Sequence, residues 1–473
     1  MHIFSTEKEV FMDQFLAIVE AVNGAINDFV WGVPCLVLLM GTGLYYTIRL
    51  GFFQFRHPRF LFKETVVKAF KKKEEDDKKP GELTSFQAAM TSVGAIVGSG
   101  NIAGVATAIV AGGPGAVFWM IIAALVGMVT KFAEVTLGVK YREVREDGSI
   151  GGGAMYYLAK GLKAKWLGIL FSFLVIPYAF VISAVVDTNT IALAVEHEFA
   201  VPTWITGVIL AVAAGIIIFG GIKRIGRASE IIAPFMGIAY ILAGLAVIVL
   251  NIKDVPEAIS NIVVGAFSPR GITGGAVGSL FIAMRYGVAR GIFSNEAGVG
   301  SAAMVHCGAK VDHPIEQGLW GAVEVFLDTI LVCSVTALTI VLSGLWNGAG
   351  DVDGVVLTMS AFEMLLPGKI GTWVCLAAVI LFGFTCLISF YTYAERAAVY
   401  VFGVKSRFVV KLLWVGMIFL GSQTTLGLAW DLADTINGLM IIPNLVGLLL
   451  LSGQVVKLKK EYFGERLPDR KHK

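Results

Sequence analysis

Eleven runs of apolar residues divide this chain, each close to the roughly 20 residues that a helix needs to cross about 30 Å of hydrocarbon. They cover approximately 29–48, 88–110, 114–139, 166–195, 203–220, 230–250, 274–294, 316–343, 371–394, 408–425 and 430–456. Inside lipid no water is present to satisfy a backbone N–H or C=O, so segments of this length read as membrane-spanning helices. With 56% hydrophobic and 15% charged residues in 473, the chain reads as an all-α polytopic membrane protein.

The charges fall between the runs. The net charge is only +3, and the densest cluster, Lys71 to Lys79, alternates blocks of sign, which suits a solvated loop and gives no face for nucleic acid. Basic residues concentrate at 49–79, 140–165, 223–227, 405–411 and beyond 457, whereas the alternate loops hold only Lys253, Arg270 and Lys369. This bias places the N-terminus outside and the C-terminus in the cytoplasm. Glu7, Glu9, Asp13 and Glu20 stand where a signal peptide needs a basic leader, so no cleaved signal is expected. Phe11, Phe15, Val19, Val22 and Ile26 give the same segment an apolar stripe suited to an interfacial helix. The five cysteines (35, 307, 333, 375, 386) form no CxxC or Cys/His pattern, so neither a disulfide nor a structural metal is implied.

The second run carries its own interruption. Gly94 to Gly104, GAIVGSGNIAG, puts four glycines and an Asn inside a membrane span, and each Gly costs about 1 kcal/mol relative to Ala in a helix interior. The plain alternative is close packing, because Gly94/Gly98 and Gly100/Gly104 are both GxxxG pairs. A break at Val97-Gly98-Ser99-Gly100-Asn101 instead exposes one half-helix N-terminus and one C-terminus, which suit a carboxylate and a small cation side by side. Setting the first run aside leaves five spans at 88–250 and five at 274–456. Five is odd, so the second set is inverted relative to the first. Its opening span has glycine and charge interruptions at Arg285-Tyr286-Gly287 and Arg290-Gly291, and packing alone does not explain a matched pair of breaks. The expected organisation is an amphipathic segment at 1–28, an extra helix at 29–48, a charged cytoplasmic loop at 49–87, the two five-helix repeats, and a basic tail at 457–473.

Three motifs resemble the alanine or glycine:cation symporter family of the amino acid–polyamine–organocation transporters, which have the LeuT-type fold: Gly98-Ser99-Gly100-Asn101-Ile102-Ala103-Gly104, Gly112 to Met120, and Arg290 to Ser301. The likeness runs from about 29 to 455 and implies inward symport of a small amino acid with Na+ at the plasma membrane of a prokaryote. By position it implies Na+ ligation by the carbonyls of Gly94, Val97 and Phe382 and the hydroxyl of Thr385, and a substrate pocket that includes Asp187, Ala283, Cys386 and Phe390. The chain departs from the family pattern, which usually has Gln at Asp187, an acid near Ala283, and Thr and Trp at Cys386 and Phe390. A thiol is a poor ligand for a hard ion, so H+ stands beside Na+ as a coupling ion.

Charged residues inside the spans each admit two readings. Asp187 either receives the substrate ammonium or a proton, or pairs with Arg285. Lys131 and Glu134 form an i,i+3 structural pair, Glu324 and Asp328 point to a solvated vestibule, Asp431 and Asp434 stay wet at the outer interface, and His306 and His313 stand isolated in a loop. The carboxylate of a substrate would sit on the backbone N–H groups and hydroxyl at Ser99-Gly100-Asn101. No GxSxG, HExxH or Walker A motif is present, so an enzyme is not expected. The expected function is a secondary active carrier of alanine or glycine coupled to Na+ by alternating access. The alternatives are a proton-coupled carrier of a larger or more polar amino acid, a transporter-like receptor, and a channel with residues 344–370 as its vestibule. The expected partners are the amino acid and the lipid bilayer. Oligomeric state has no signature in the sequence.

Overall fold

The computed structural model describes residues 3–69, 81–267, 275–348, 354–424 and 426–466. The charge run Lys71–Lys79, Arg270, and the loop acids Asp351 and Asp353 lie outside them. In chain order the main helices are α1 (Ile3–Val30), α2 (Val33–Arg49), α3 (Ser85–Ile96), α4 (Gly100–Gly112), α5 (Gly115–Lys140), α6 (Lys165–Phe199), α7 (Thr203–Phe219) and α8 (Ile222–Leu250). They continue as α9 (Val255–Phe267), α10 (Gly275–Asn295), α11 (Ala302–His306), α12 (Pro314–Ser343), α13 (Gly354–Leu365), α14 (Ile370–Phe402), α15 (Ser406–Gly421) and α16 (Leu426–Arg466). A two-stranded hairpin, β1 (Glu143–Val144) and β2 (Ile150–Gly151), joins α5 to α6.

Seven helical segments are long and apolar enough to cross a bilayer, and α3 with α4 makes an eighth if the bent pair is one span. The other three expected spans coincide with α7, α10 and α15. α8 turns Ile231, Phe235, Ile238, Leu242 and Val249 outward with no protein cover, the pattern of a helix that faces lipid. Three of the basic loops share one end of the molecule, because their Arg145, Lys223, Arg407 and Lys411 line a single cavity.

Two interruptions organise the interior. α3 begins on a capping box, in which Thr84 accepts from the Gln87 N–H at 3.1 Å and Gln87 Oε1 accepts from the Thr84 N–H at 3.2 Å. It ends where Val97 turns extended (ψ 92°), and α4 leaves at 50° to it. The second interruption is not at Arg285–Gly291, which lies within the continuous α10. A β-carbon on Gly287 would fall 2.2 Å from the Ala116 carbonyl oxygen, and one on Gly291 3.0 Å from the Met120 side chain, so these glycines serve the packing of α10 on α5. The chain breaks just after them, between Asn295 and Ala302, where Glu296, Gly298 and Gly300 all have positive φ (54°, 96° and 87°). Asn295 Oδ1 accepts from the Ala297 N–H at 2.9 Å and closes the turn that ends α10.

Candidate functional site

The first break frees the backbone oxygens that a cation needs. In a continuous helix the Gly98 N–H would bond the Gly94 carbonyl; here it donates to Asn101 Oδ1 at 2.8 Å. The Asn101 N–H donates to Gly98 O at 3.2 Å and not to Val97 O. The carbonyls of Gly94 and Val97 have thus lost their intrahelical donors. α14 packs against them: a β-carbon on Gly94 would lie 3.3 Å from Thr385 Cβ, and the Cys386 thiol donates to Ala95 O at 3.2 Å and lies 3.7 Å from Val97 O. Thr385 Oγ1 donates to Leu381 O and Phe382 O, both at 2.9 Å, which turns its lone pairs away from its own helix carbonyls. Gly94, Val97, Phe382, Thr385 and Cys386 therefore come together.

Asp187 closes the other side of the break. Ser99 Oγ donates to its Oδ1 at 2.6 Å, while Oδ2 has no bonded partner among the described residues although Asp187 is buried. Ser99, Ile102, Asp187, Thr190, Val379 and Gly383 line a small crevice there. A β-carbon on Gly98 would fall 2.4 Å from Cys386 Sγ and 3.7 Å from Asp187 Oδ1, so only a glycine fits between α6 and α14 at this point. Gly100 abuts the end of α10, 3.2 Å from the Phe293 ring by the same measure.

Arg285 and Ala283 lie elsewhere. Arg285, midway along α10, bonds the exposed Asp28 at 2.8 Å, so the alternative Asp187–Arg285 pair does not form. Ala283 is buried against Gly112 at the C-terminal end of α4. Phe390 stacks on Tyr178 and Tyr393, ring centroids 5.9 and 5.0 Å apart, one turn along α14 from Cys386.

The intramembrane charges are buried more completely, and paired differently, than sequence spacing implies. Lys131 turns away from Glu134: its Nζ lies 3.4 Å from Glu324 and donates to Asn295 O at 2.9 Å, while Glu134 accepts from Asn444. Glu324 and Asp328 line no solvated vestibule. Both are fully buried, Glu324 2.8 Å from His306 and accepting from Ser92, Asp328 accepting from Asn101 (2.7 Å), Ser294 (2.8 Å) and Thr329 (2.7 Å). His306 is correspondingly buried and not a loop residue in solvent, whereas His313 caps α12 by accepting from the Ile315 N–H. Asp434 is not wet either: it holds Arg290 through two bonds, at 2.9 and 2.7 Å. The guanidinium lies over both Phe293 and Trp430, at 5.6 Å from each ring, and this group roofs the site on the side of Arg285.

Glu296 is a site residue that spacing did not single out, and Asp328, marked by its i,i+4 spacing from Glu324, has a different role from the one that spacing implied. Glu296 holds its left-handed backbone at the second break by accepting from Tyr178 (2.7 Å), Ser301 (2.7 Å) and Tyr393 (3.2 Å). Its signal in the sequence is the N-E-A-G-V-G turn chemistry after an apolar run. Asp328 ties the two breaks together through Asn101 and Ser294. Asn101, Asp187 and Asp328 each sit in a π-helical stretch, at Gly100–Gly104, Phe180–Asp187 and Phe326–Cys333, where widened turns aim polar groups inward. No pattern of residue types marked those widenings. Among the described residues no group of three His, Cys, Asp or Glu side chains forms a transition-metal site.

At the basic end, Arg396 Nη2 donates to Glu82 Oε2 at 2.7 Å and Arg407 engages Glu395 and Asp147. The hydroxyl of Ser149 holds the Asp147 carboxyl below the usual carboxylate range, which keeps it anionic beside Arg407.

The family model for the sodium:alanine symporter family matches residues 16–473. The chain is 43% identical over 450 residues to the sodium/alanine symporter AgcS of Methanococcus maripaludis, covering 94% of this chain and 97% of that protein. It is 38% identical over 449 residues to the probable sodium/glutamine symporter GlnT of Bacillus subtilis, covering 94% and 91%. Among solved structures, MhsT in complex with L-phenylalanine superposes with a TM-score of 0.57 at 14% identity, covering 79% of this chain and 90% of that one. The fold is accordingly of the LeuT type.

Proposed function

This chain belongs to the sodium:alanine symporter family, whose members are transporters and not enzymes, and from that premise we propose that it imports a small amino acid of the alanine and glycine class together with Na+ by alternating access. The observation that carries this reading is the first break. It offers two carbonyls that have lost their intrahelical donors, Gly94 and Val97, beside Thr385 on one side, and the buried Asp187 with an unpartnered oxygen on the other. In this reading Na+ is held by the carbonyls of Gly94, Val97 and Phe382 and the Thr385 hydroxyl, hard oxygens of the kind that discontinuous helices supply. The amino acid places its carboxylate at Ser99-Gly100-Asn101, on the N–H groups of Ser99 and Gly100 because that of Asn101 already bonds Gly98 O, and its ammonium on Asp187, where Ser99 Oγ now sits. Cys386 and Phe390 bound its side chain. Ala283 and Arg285 have no part in it, given where they lie.

The relatives named for alanine and for glutamine support an amino acid substrate, and the tight fit of Gly98 against Cys386 favours the smaller one. The repeats at 88–250 and 274–456, a cytoplasmic basic end, an external N-terminus and a prokaryotic plasma membrane belong to the same reading. Counterflow in proteoliposomes against a panel of amino acids, with Na+ and pH varied separately, tests it. Alanine or glycine should exchange and should need Na+. Exchange that ignores Na+ and follows pH would establish proton coupling instead, and exchange of neither amino acid would overturn the substrate class.

A further inference from the structure

Charge in the cavity at the basic end is not balanced. Its volume is about 300 Å³, and it is lined by five cations: Arg145 in the β1–β2 hairpin, Lys223 at the start of α8, Arg396 on α14, and Arg407 and Lys411 on α15. Two acids, Glu82 and Glu395, share the lining, and both are engaged. Arg396 holds Glu82 at 2.7 Å, while Arg407 holds Glu395 and lies 3.4 Å from Asp147. Arg145 donates to the Tyr156 hydroxyl at 3.0 Å. Lys223 and Lys411 form no ion pair among the described residues; Lys411 rests over the Phe219 ring at 5.7 Å.

The backbone adds to this surplus. α8 starts at Gly221, which has positive φ (75°) and no side chain to cap the helix. The N–H groups of Arg224 and Ile225 return to Gly221 O at 3.0 and 3.2 Å, but those of Ile222 and Lys223, both on the lining, have no bonded partner among the described residues. The uncapped start of a 29-residue helix carries roughly half a positive charge. A β-carbon on Gly221 would meet nothing within 4 Å, so these N–H groups are open to approach.

A buried hydroxyl points to the same space independently. Six buried Ser and Thr hydroxyls have no bonded partner among the described residues, and of these Thr392, 1% exposed on α14, lines this cavity. A helical threonine ordinarily bonds back one turn, as Thr385 does to Leu381 O at 2.9 Å. Thr392 does not, and an unsatisfied buried hydroxyl is costly enough to call for a partner.

We propose that this cavity is a second binding site of the protein, for a phosphate-bearing anion held by the Ile222 and Lys223 N–H groups, the Lys223 and Lys411 ammonium groups and the Thr392 hydroxyl. The group supplies donors from three elements, α8, α14 and α15, and a tetrahedral oxyanion accepts from several directions at once. Bound there, it ties the start of α8 to α14 and α15. Free phosphate and the headgroup of an anionic phospholipid share this chemistry. Phe219, beneath Lys411, and Phe408, on the same helix as Lys411, are exposed apolar surface that acyl chains would cover.

Binding is read without flux, so its failure is distinct from failure of the transport reading. Radiolabelled inorganic phosphate, added to the purified full chain in dodecyl maltoside at fixed ionic strength, should bind saturably. Lys223→Gln and Lys411→Gln should each weaken it at least about tenfold and Thr392→Val about fivefold, the factors for a charge-assisted and a neutral hydrogen bond. Without the anion, none of the three variants should unfold at a lower temperature than wild type, because the fold loses no pairing in any of them. Displacement of phosphate by phosphatidylglycerol and not by phosphatidylcholine assigns the site to a lipid headgroup, and displacement by neither assigns it to the free anion. No saturable binding to the wild type, wild-type affinity in all three variants, or displacement by both lipids alike would overturn the site. So would a lower unfolding temperature for Thr392→Val, since the hydroxyl would then have its partner within the fold.

Discussion

Asp187→Asn isolates the group on which substrate recognition turns. One carboxylate oxygen of Asp187 takes the Ser99 hydroxyl at 2.6 Å and the other has no partner among the described residues, so an incoming ammonium finds an open acceptor. A hydrogen bond to a charged group contributes about 1.5–3 kcal/mol. Losing the charge should therefore weaken the apparent affinity for amino acid about 10- to 150-fold, at 1.4 kcal/mol per factor of ten. Stability should change little. Asn keeps an oxygen for Ser99, and the nearest candidate counter-charge, Arg285, is held by Asp28, so the ~3–5 kcal/mol of an orphaned buried ion does not arise. Substrate dependence of Na+-driven uptake gives the first quantity, and thermal unfolding in detergent gives the second. Wild-type affinity in the variant would refute the role of Asp187. A variant that unfolds, and is rescued by adding Arg285→Gln, would refute the pairing seen in the structure.

Four further outcomes follow from the same geometry. Gly98→Leu should abolish uptake while the protein still reaches the membrane, because even its β-carbon would meet Cys386 Sγ at 2.4 Å; normal uptake would mean that the break is not the site. Cys386→Thr should lower the Na+ concentration for half-maximal uptake by placing a hard oxygen near Val97 O, and an unchanged Na+ dependence would move the cation elsewhere. Asp434→Asn should speed dissociation of bound alanine at least about tenfold, since the charge-assisted bonds that hold Arg290 over Phe293 and Trp430 are weakened, and a filter-binding off-rate checks it. Lys131→Met should destabilise the fold by roughly 3–5 kcal/mol, because Glu324 would lose its buried lysine partner; a wild-type melting temperature would contradict that.

Residue pattern located the helices and the first break, and it misplaced the second. The apolar runs announce themselves because lipid permits only helices along such segments, and Gly-Ser-Gly-Asn at 98–101 is a local conflict with helix that no neighbour has to be known to detect. At Arg285–Gly291 the same signal misled. Glycines that break a helix and glycines that let two helices touch look alike until the partner is present, and Ala116 and Met120 on α5 are that partner. Charge pairing failed for the same reason: i,i+3 and i,i+4 spacing describes an isolated helix, whereas Lys131, Glu134, Glu324 and Asp328 find partners on other helices.

What the sequence by itself determined is therefore what depends on solvent and on local backbone chemistry: a many-spanning helical protein, basic loops recurring between alternate spans, and a broken helix at Gly98. Only the tertiary structure decided which polar groups meet. It put Arg285 on Asp28, paired Arg290 with Asp434, and left one oxygen of Asp187 and the Thr392 hydroxyl without partners among the described residues. In a medium that solvates no charge, a buried polar group is satisfied only where the packing brings a distant residue within about 3 Å, and that distance is a property of the assembled bundle.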